Sequence, residues 1–238
     1  MKQKTNFIVF GQGRSGSNLL VDLLNSHPAI HCDMELLNKN QLARKNKIFR
    51  SFVYNFPYHY IKRKMKRSSS KLYGFKLMYH QLENHEKIRP KLFNENWKII
   101  HIQRKDIFAQ TLSTLIAKKT GKYIRKHQDV VDNIVLRIEP QNVAEDISLR
   151  LRAIKYELEV LIGLNYFDVV YENDLADSNS WNESMEGVFK YLGVPPIEVS
   201  ATTLKTDNRT NEERISNYSE ILEYLSNSKF SYLLEQKA

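Results

Sequence analysis

The chain of 238 residues carries one cysteine, Cys32. A single thiol excludes an internal disulfide and cannot by itself build a thiolate metal site, and it is compatible with a reducing compartment. No apolar run approaches the ~20 residues that a membrane-spanning helix requires. The opening Met1-Lys-Gln-Lys-Thr-Asn leads directly into a strand-like segment without the pattern of a cleavable signal, so a cytoplasmic location is expected. Acid is also scarce. Thirty-six Lys and Arg face 27 Asp and Glu, giving a net charge of +9 and a pI near 9.4. Such a balance favours an anionic partner: a nucleotide-like donor, an acidic acceptor, a nucleic acid or a lipid surface. At 42% apolar and 26% charged residues, the chain has too much apolar surface for a disordered protein and enough length for one sizeable core, so residues 1–238 are expected to form a single domain.

Glycine is sparse as well, with eight in the chain. Three of these fall within Gly11-Gln-Gly-Arg-Ser-Gly16. The loop follows the apolar, β-forming Phe7-Ile-Val-Phe10 and precedes leucines at helical spacing from Ser17, so the order is strand, tight loop, helix. Glycines let backbone amides crowd around a ligand, and the unpaired N–H groups and positive dipole end of the helix favour a phosphate-like group. The stretch therefore reads as an anion cradle, and the alternative is an ordinary strand-loop-helix junction without a ligand.

Further along, Ala29-Ile-His-Cys32 can form a short second strand after a break at Pro28. Leu72–Tyr79 and Trp97–Gln103 read as strands, the latter with the near-continuous apolar centre of a buried parallel strand. Asp106 can cap a helix running to about Lys118 and closed by Gly121. A long helix is expected over Val143–Gly163 with Ile147, Leu151, Ile154, Leu158 and Leu161 as its apolar stripe, then a strand at Tyr166–Tyr171, a helix at Trp181–Leu192 and a last helix over Ile215–Leu225. Residues 123–144 read as an ambiguous excursion. Strands alternating with helices predict an α/β protein, a three-layer P-loop-like fold whose central parallel sheet is flanked by helices and holds ligands at the carboxyl ends of its strands. Between Lys39 and Lys71 lie eleven lysines and arginines and no acid, interleaved with Phe49, Phe52, Tyr54, Phe56, Tyr58 and Tyr60. The favoured reading is a solvated face with aromatics packed beneath it; the competing one is engagement of a sugar, a phosphate-bearing acceptor, RNA or a membrane surface.

What the first loop lacks narrows its chemistry. Gly11–Gly16 fits the first six positions of the Walker pattern GxxxxGK[ST], but Ser17 and Asn18 stand where the lysine and the Mg²⁺-binding hydroxyl belong, and the cation is Arg14 inside the loop. A P-loop kinase or NTPase is thereby disfavoured. A sulfuryl group carries fewer ionisable oxygens than a phosphoryl group, and a guanidinium, a helix N-terminus and hydroxyl donors can stabilise its transfer without a metal.

Gly13-Arg-Ser-Gly-Ser-Asn-Leu-Leu20 resembles the 5′-phosphosulfate loop of sulfotransferases that use 3′-phosphoadenosine 5′-phosphosulfate (PAPS), in the arginine-bearing version of carbohydrate-type and bacterial trehalose-sulfotransferase-like members. The resemblance implies that Arg14 touches the sulfuryl and 5′-phosphate while Gly13, Ser15, Gly16, Ser17 and Asn18 hold the phosphate. It implies further that a later strand is followed by an Arg and, about eight residues on, a Ser that hold the donor's 3′-phosphate. Ile100-His-Ile-Gln-Arg-Lys-Asp-Ile-Phe-Ala-Gln-Thr-Leu-Ser113 supplies Arg104 with Ser113, and Lys105, at the eight-residue spacing, is the rival. Gly74-Phe-Lys-Leu-Met78, Val170-Tyr-Glu-Asn-Asp-Leu175 and Tyr191-Leu-Gly-Val-Pro-Pro196 resemble the family's central strand, its late strand and loop, and the segment before its cofactor-covering loop. Lys205 and Arg209 are the covering-loop cations the resemblance points to.

Attack by an acceptor hydroxyl needs a base, and Glu35, just past the second strand, matches the glutamate of carbohydrate-type and trehalose-type members. Asp33, His31 and His27 are the competing bases. His101 reads as core, Cys32 as a buried inert thiol, and Lys76 either reaches the donor or extends to solvent. The resemblance thus implies a sulfotransferase that uses PAPS as donor, releases 3′,5′-ADP (PAP), and needs no metal. Its acceptor would be a carbohydrate, a glycolipid or a small natural product, with no nucleic-acid partner. A basic RNA-binding or membrane-surface module centred on residues 39–71 is the alternative from another class.

Overall fold

The computed structural model describes residues 5–93, 97–123, 125–126, 134–204 and 209–235. Five parallel strands form its central sheet: β1 (Thr5–Gly11), β2 (Ile30–Asp33), β3 (Leu72–Met78), β4 (Trp97–Gln103) and, after a two-residue β5 (Arg125–Lys126), β6 (Tyr166–Val170). Their order is β2-β3-β1-β4-β6. Among the described residues, β5 pairs only with another two-residue strand, β7 (Thr203–Leu204).

Alternation along β1 builds the layers, because successive side chains of a strand point to opposite faces. Phe7 and Val9 enter one core with α1 (Ser17–Asn25) and α9 (Trp181–Leu192). Ile8 and Phe10 enter the other, with Val53 of α3 (Lys47–Asn55), Ile61 of α4 (Pro57–Arg67), Leu82 of α5 (Tyr79–Glu83), Leu92 of α6 (Arg89–Phe93) and Val160 of α8 (Pro140–Leu161). A third apolar cluster joins α7 (Ile107–Thr120) and α8 to α11 (Tyr218–Ser226) and α12 (Tyr232–Glu235). The expected three-layer α/β architecture is the one observed.

The basic stretch holds helices that its charge pattern had hidden. Asn38 caps α2 (Lys39–Ala43), Asn46 caps α3, and Pro57 occupies the first turn of α4. The long helix begins at Pro140 and ends at Leu161, before the left-handed Gly163 (φ 74°). Its buried stripe is rotated from the expected one. Asp146, Arg150 and Glu157 are inside, and Leu158 is exposed. Ile215, expected to open a helix running to Leu225, lies before the observed helix over Tyr218–Ser226 and bridges to Leu136 instead. Among the described residues, no helix is long and apolar enough to cross a membrane.

Gly74 of β3 lies opposite Phe7 of β1, and a Cβ there would sit 2.3 Å from the Phe7 ring. Both residues are buried in the sheet, so the ring has little room to yield. Gly74→Ala is expected to cost about 1–3 kcal/mol through overpacking, read as a lower Tm in thermal unfolding with the strand order retained.

Candidate active site

The loop between β1 and α1 lies at the carboxyl edge of the sheet, where two of its glycines, Gly11 and Gly16, meet steric demands that no other residue satisfies. A Cβ on Gly11 would approach the Ile102 carbonyl oxygen to 2.3 Å, and one on Gly16 the Tyr171 ring to 2.5 Å. Gly16 is also left-handed (φ 84°) at the N-cap of α1, where no side chain caps the helix and no acid occupies the first turn. The N-terminal amides of α1 are thus left to an anion. Arg14 is itself left-handed (φ 64°), the one non-glycine residue with positive φ among the described residues, so backbone strain is concentrated on the residue expected to touch the transferring group.

Three further elements converge on this loop. From α7, Ser113 Oγ accepts from Arg14 Nε at 2.9 Å, and Gln110 Nε2 donates to the Gly13 carbonyl at 2.9 Å. From the end of β4, Arg104 Nη1 donates to the Arg14 carbonyl at 3.2 Å, and its guanidinium stacks 4.7 Å from the centre of the Tyr171 ring. Arg104 Nε is buried without a hydrogen-bond partner, with Glu172 Oε1 3.6 Å away. From α8, Arg150 is clamped by Asp146 (Nε to Oδ2, 2.8 Å) and by Thr114, and reaches Gln12 Oε1 and the Gly13 carbonyl, each at 3.4 Å. Arg14 also donates to the Tyr123 carbonyl.

The electrostatic consequence is a concentration of positive charge. Burial, then the charges of Arg104, Arg214 and Arg150, push the Arg14 guanidinium below the ordinary arginine value. Burial likewise lowers Arg150, although Asp146 opposes it. Like charges brought together at a cost are relieved by an anion.

Beside the loop lies a lysine-carboxylate pair. Lys76 of β3 is 5% exposed, so it neither extends to solvent nor stands alone: Nζ contacts Glu35 Oε1 at 2.9 Å and Asn18 Oδ1 at 2.5 Å. Gln81 and Asn38 each donate to Glu35 Oε2 at 2.8 Å. Burial raises the Glu35 carboxyl, but Lys76 and Asn38 outweigh it and hold the group below its ordinary value. Through Lys76, Glu35 is joined to the first turn of α1.

The competing bases sit elsewhere in the bonding pattern. Asp33 accepts from the Tyr73 hydroxyl at 2.8 Å and pairs with Lys64 at 3.3 Å and with the half-exposed His31 at 3.5 Å. Both ring nitrogens of His27 are occupied, Nδ1 by the Ala29 amide and Nε2 by the Pro195 carbonyl, and the residue is buried against Phe189. His101 is core as expected, held between Asp168 (2.9 Å) and Glu157 (3.3 Å). Cys32 is buried, and burial pushes its thiol well above the ordinary range.

Of the other expected residues, Ser15 is fully buried and donates to the Gln12 carbonyl at 2.7 Å, and Ser17 is buried at the start of α1. Lys105 is exposed and is tied through its backbone amide to Glu172 at 2.9 Å, so Arg104 is the cation of the two that reaches the loop. Arg209 donates to the Ile134 carbonyl at 3.4 Å. Lys205 lies outside the described residues. Sequence reasoning missed Arg150, Gln110 and Gln12. A signal for Arg150 was present, since it and Asp146 stand four apart on the same helix face as Val143 and Ile147.

The chain is similar in structure to a sulfotransferase from Alicyclobacillus acidocaldarius, with a TM-score of 0.54 at 12% identity, covering 98% of this chain and 94% of that one. The sulfotransferase domain of the Synechococcus PCC 7002 olefin synthase matches with a TM-score of 0.51 at 16% identity, covering 83% of this chain and 77% of that one. The fold is that of these sulfotransferases. No protein-family model and no curated protein matches the chain.

Proposed function

We propose that the protein is a sulfotransferase that moves a sulfuryl group from PAPS to an acceptor hydroxyl, with a carbohydrate, glycolipid or small natural product as acceptor. The observation that carries this reading is the convergence of Arg14, Arg104 and Arg150 on one glycine loop beside the Lys76–Glu35 pair. The residues suit the donor. Uncapped amides of α1 and an open space over Gly13, where an added Cβ would meet nothing within 4 Å, fit the 5′-phosphosulfate end. The orphaned Nε of Arg104 and the Ser113 hydroxyl fit the 3′-phosphate.

The donor supplies the sulfuryl group. Arg14 and the loop amides offer preorganised positive charge where negative charge develops on the transferring oxygens. Lys76, buried between Asn18 and Glu35, fixes the carboxylate relative to the loop. Glu35 accepts the acceptor's proton. A carboxylate held below its ordinary value is a weak base, so it takes that proton late, after the hydroxyl has been acidified by bonding to sulfur. Ser17 and Asn18, in place of the Walker lysine and hydroxyl, weigh against Mg²⁺-dependent phosphoryl transfer from ATP.

The test is transfer of labelled sulfate from PAPS into extracts of the native organism, followed by identification of the labelled product. Label is expected in a sulfate ester of a hydroxyl acceptor, undiminished by chelator. Failure to label any fraction, or phosphate transfer from Mg²⁺-ATP under the same conditions, would overturn the assignment.

A further inference from the structure

The α2–α4 segment carries chemistry that donor binding does not use. Of its ten lysines and arginines, nine are exposed, and among the described residues only Lys64 forms an ion pair, with Asp33. The helices are held from beneath. Phe49 packs edge-on against Tyr60 with ring centroids 5.5 Å apart, Val53 and Ile61 are fully buried, and Tyr58 is buried under Lys62 and Lys91. That much is the solvated cationic face expected from the sequence.

Three large apolar side chains depart from it. Ile48 is 84% exposed, Tyr54 64% and Phe56 53%, all on α3 or at the elbow between α3 and α4. Tyr54 touches the His85 ring and Phe56 the rings of Phe52 and His59, yet each leaves more than half of its surface to solvent, as does Ile48. Beside them on the chain stand the exposed Lys45, Lys47, Arg50, Lys62 and Arg63. The same elbow forms one wall of a cleft of about 540 Å³ closed on the other side by Glu83–Ile88 and Lys91. Apolar side chains projecting from a helical surface that bears unneutralised cations match a plane that is negatively charged outside and apolar within.

We propose that α2–α4 dock the protein on an anionic lipid surface, with Ile48, Tyr54 and Phe56 entering the headgroup boundary and the neighbouring lysines and arginines facing lipid phosphates and carboxylates. Charge complementarity supplies attraction, and the three apolar side chains distinguish a bilayer from RNA, which would be met by charge with its bases stacked on aromatics and has no use for Ile48. Docked in this way, the elbow brings the mouth of the cleft to the membrane face. The inference is independent of the donor chemistry.

Co-sedimentation of the full chain with phosphatidylserine-rich vesicles tests it, with phosphatidylcholine vesicles and a single-stranded RNA as comparison arms. Binding to the anionic vesicles alone is expected, weakening as salt is raised. Each cation removed by Lys47→Gln or Arg50→Gln should weaken it roughly 5-fold. The double variant Ile48→Ser/Phe56→Ser, shown by circular dichroism to be folded, should weaken it by roughly 10-fold or more with all charges retained. Three results would overturn the proposal: no sedimentation with anionic vesicles, equal binding to neutral ones, or RNA binding that persists in the double variant while vesicle binding is absent.

Discussion

Replacing Arg14 by alanine is expected to lower kcat/KM for PAPS by roughly 100- to 1,000-fold, the effect of removing a preorganised charged donor from the transferring group. Arg14→Lys should fare little better. The guanidinium bonds in two directions, from Nε to Ser113 and from Nη1 to the Tyr123 carbonyl, and an ammonium cannot reproduce that fork. Arg14→Gly separates the catalytic role from a structural one. It relieves a left-handed backbone (φ 64°) and the repulsion from Arg104, Arg214 and Arg150, so its Tm should be no lower than that of the unaltered protein while activity is lost. A collapse of Tm in Arg14→Gly would instead make the arginine a structural strut.

Glu35→Gln should lower kcat by roughly 100- to 10,000-fold, the usual worth of a positioned general base, with affinity for PAP retained. Because the substitution leaves Lys76 buried without its counter-charge, Glu35→Gln/Lys76→Met serves as the folded control. The pH dependence has a definite sign. The folded-state pKa of Glu35 is lowered, so the stability drawn from its pairing is present above the ordinary value of 4.5 and is lost as pH falls through the lower folded value. The acid limb of the rate should therefore lie below 4.5. In Lys76→Met the main cause holding the carboxyl down is gone and burial remains, so the limb should move upward. An acid limb unmoved by Lys76→Met would point to a base other than Glu35.

The parts of the molecule legible in the sequence were those where local chemistry leaves little choice. Phe7–Phe10 followed by closely spaced glycines could hardly be other than a buried strand and a tight loop, and Asp106 and Gly121 cap the two ends of α7 as residues of their type do. Lys76 was readable as a strand residue, but its partners Glu35 and Asn18 come from segments 41 and 58 residues away, a pairing set by the β2-β3-β1 strand order. For Arg150 the pairing with Asp146 four residues earlier was visible, but its reach to the Gly13 carbonyl depends on the fold in the same way. The helices of residues 39–67 were obscured by charge density, although Asn38, Asn46 and Pro57 mark their starts. Between Arg104 and Lys105, spacing alone favoured the wrong candidate for contact with the loop. The strand-end geometry turns Arg104 onto Tyr171 and the Arg14 carbonyl and leaves Lys105 exposed.

The central claim is that these arginines and the uncapped start of α1 together read a nucleotide carrying both a 3′- and a 5′-phosphate. Calorimetric titration of the full chain with PAP, and separately with 5′-AMP, in the presence of a chelator tests it most directly. PAP is expected to bind with micromolar affinity or better, and at least roughly 10-fold more tightly than 5′-AMP, since a charge-assisted contact to the extra phosphate contributes about 1.5–3 kcal/mol. Equal affinity for the two nucleotides, or binding of PAP that disappears with the chelator, would contradict it.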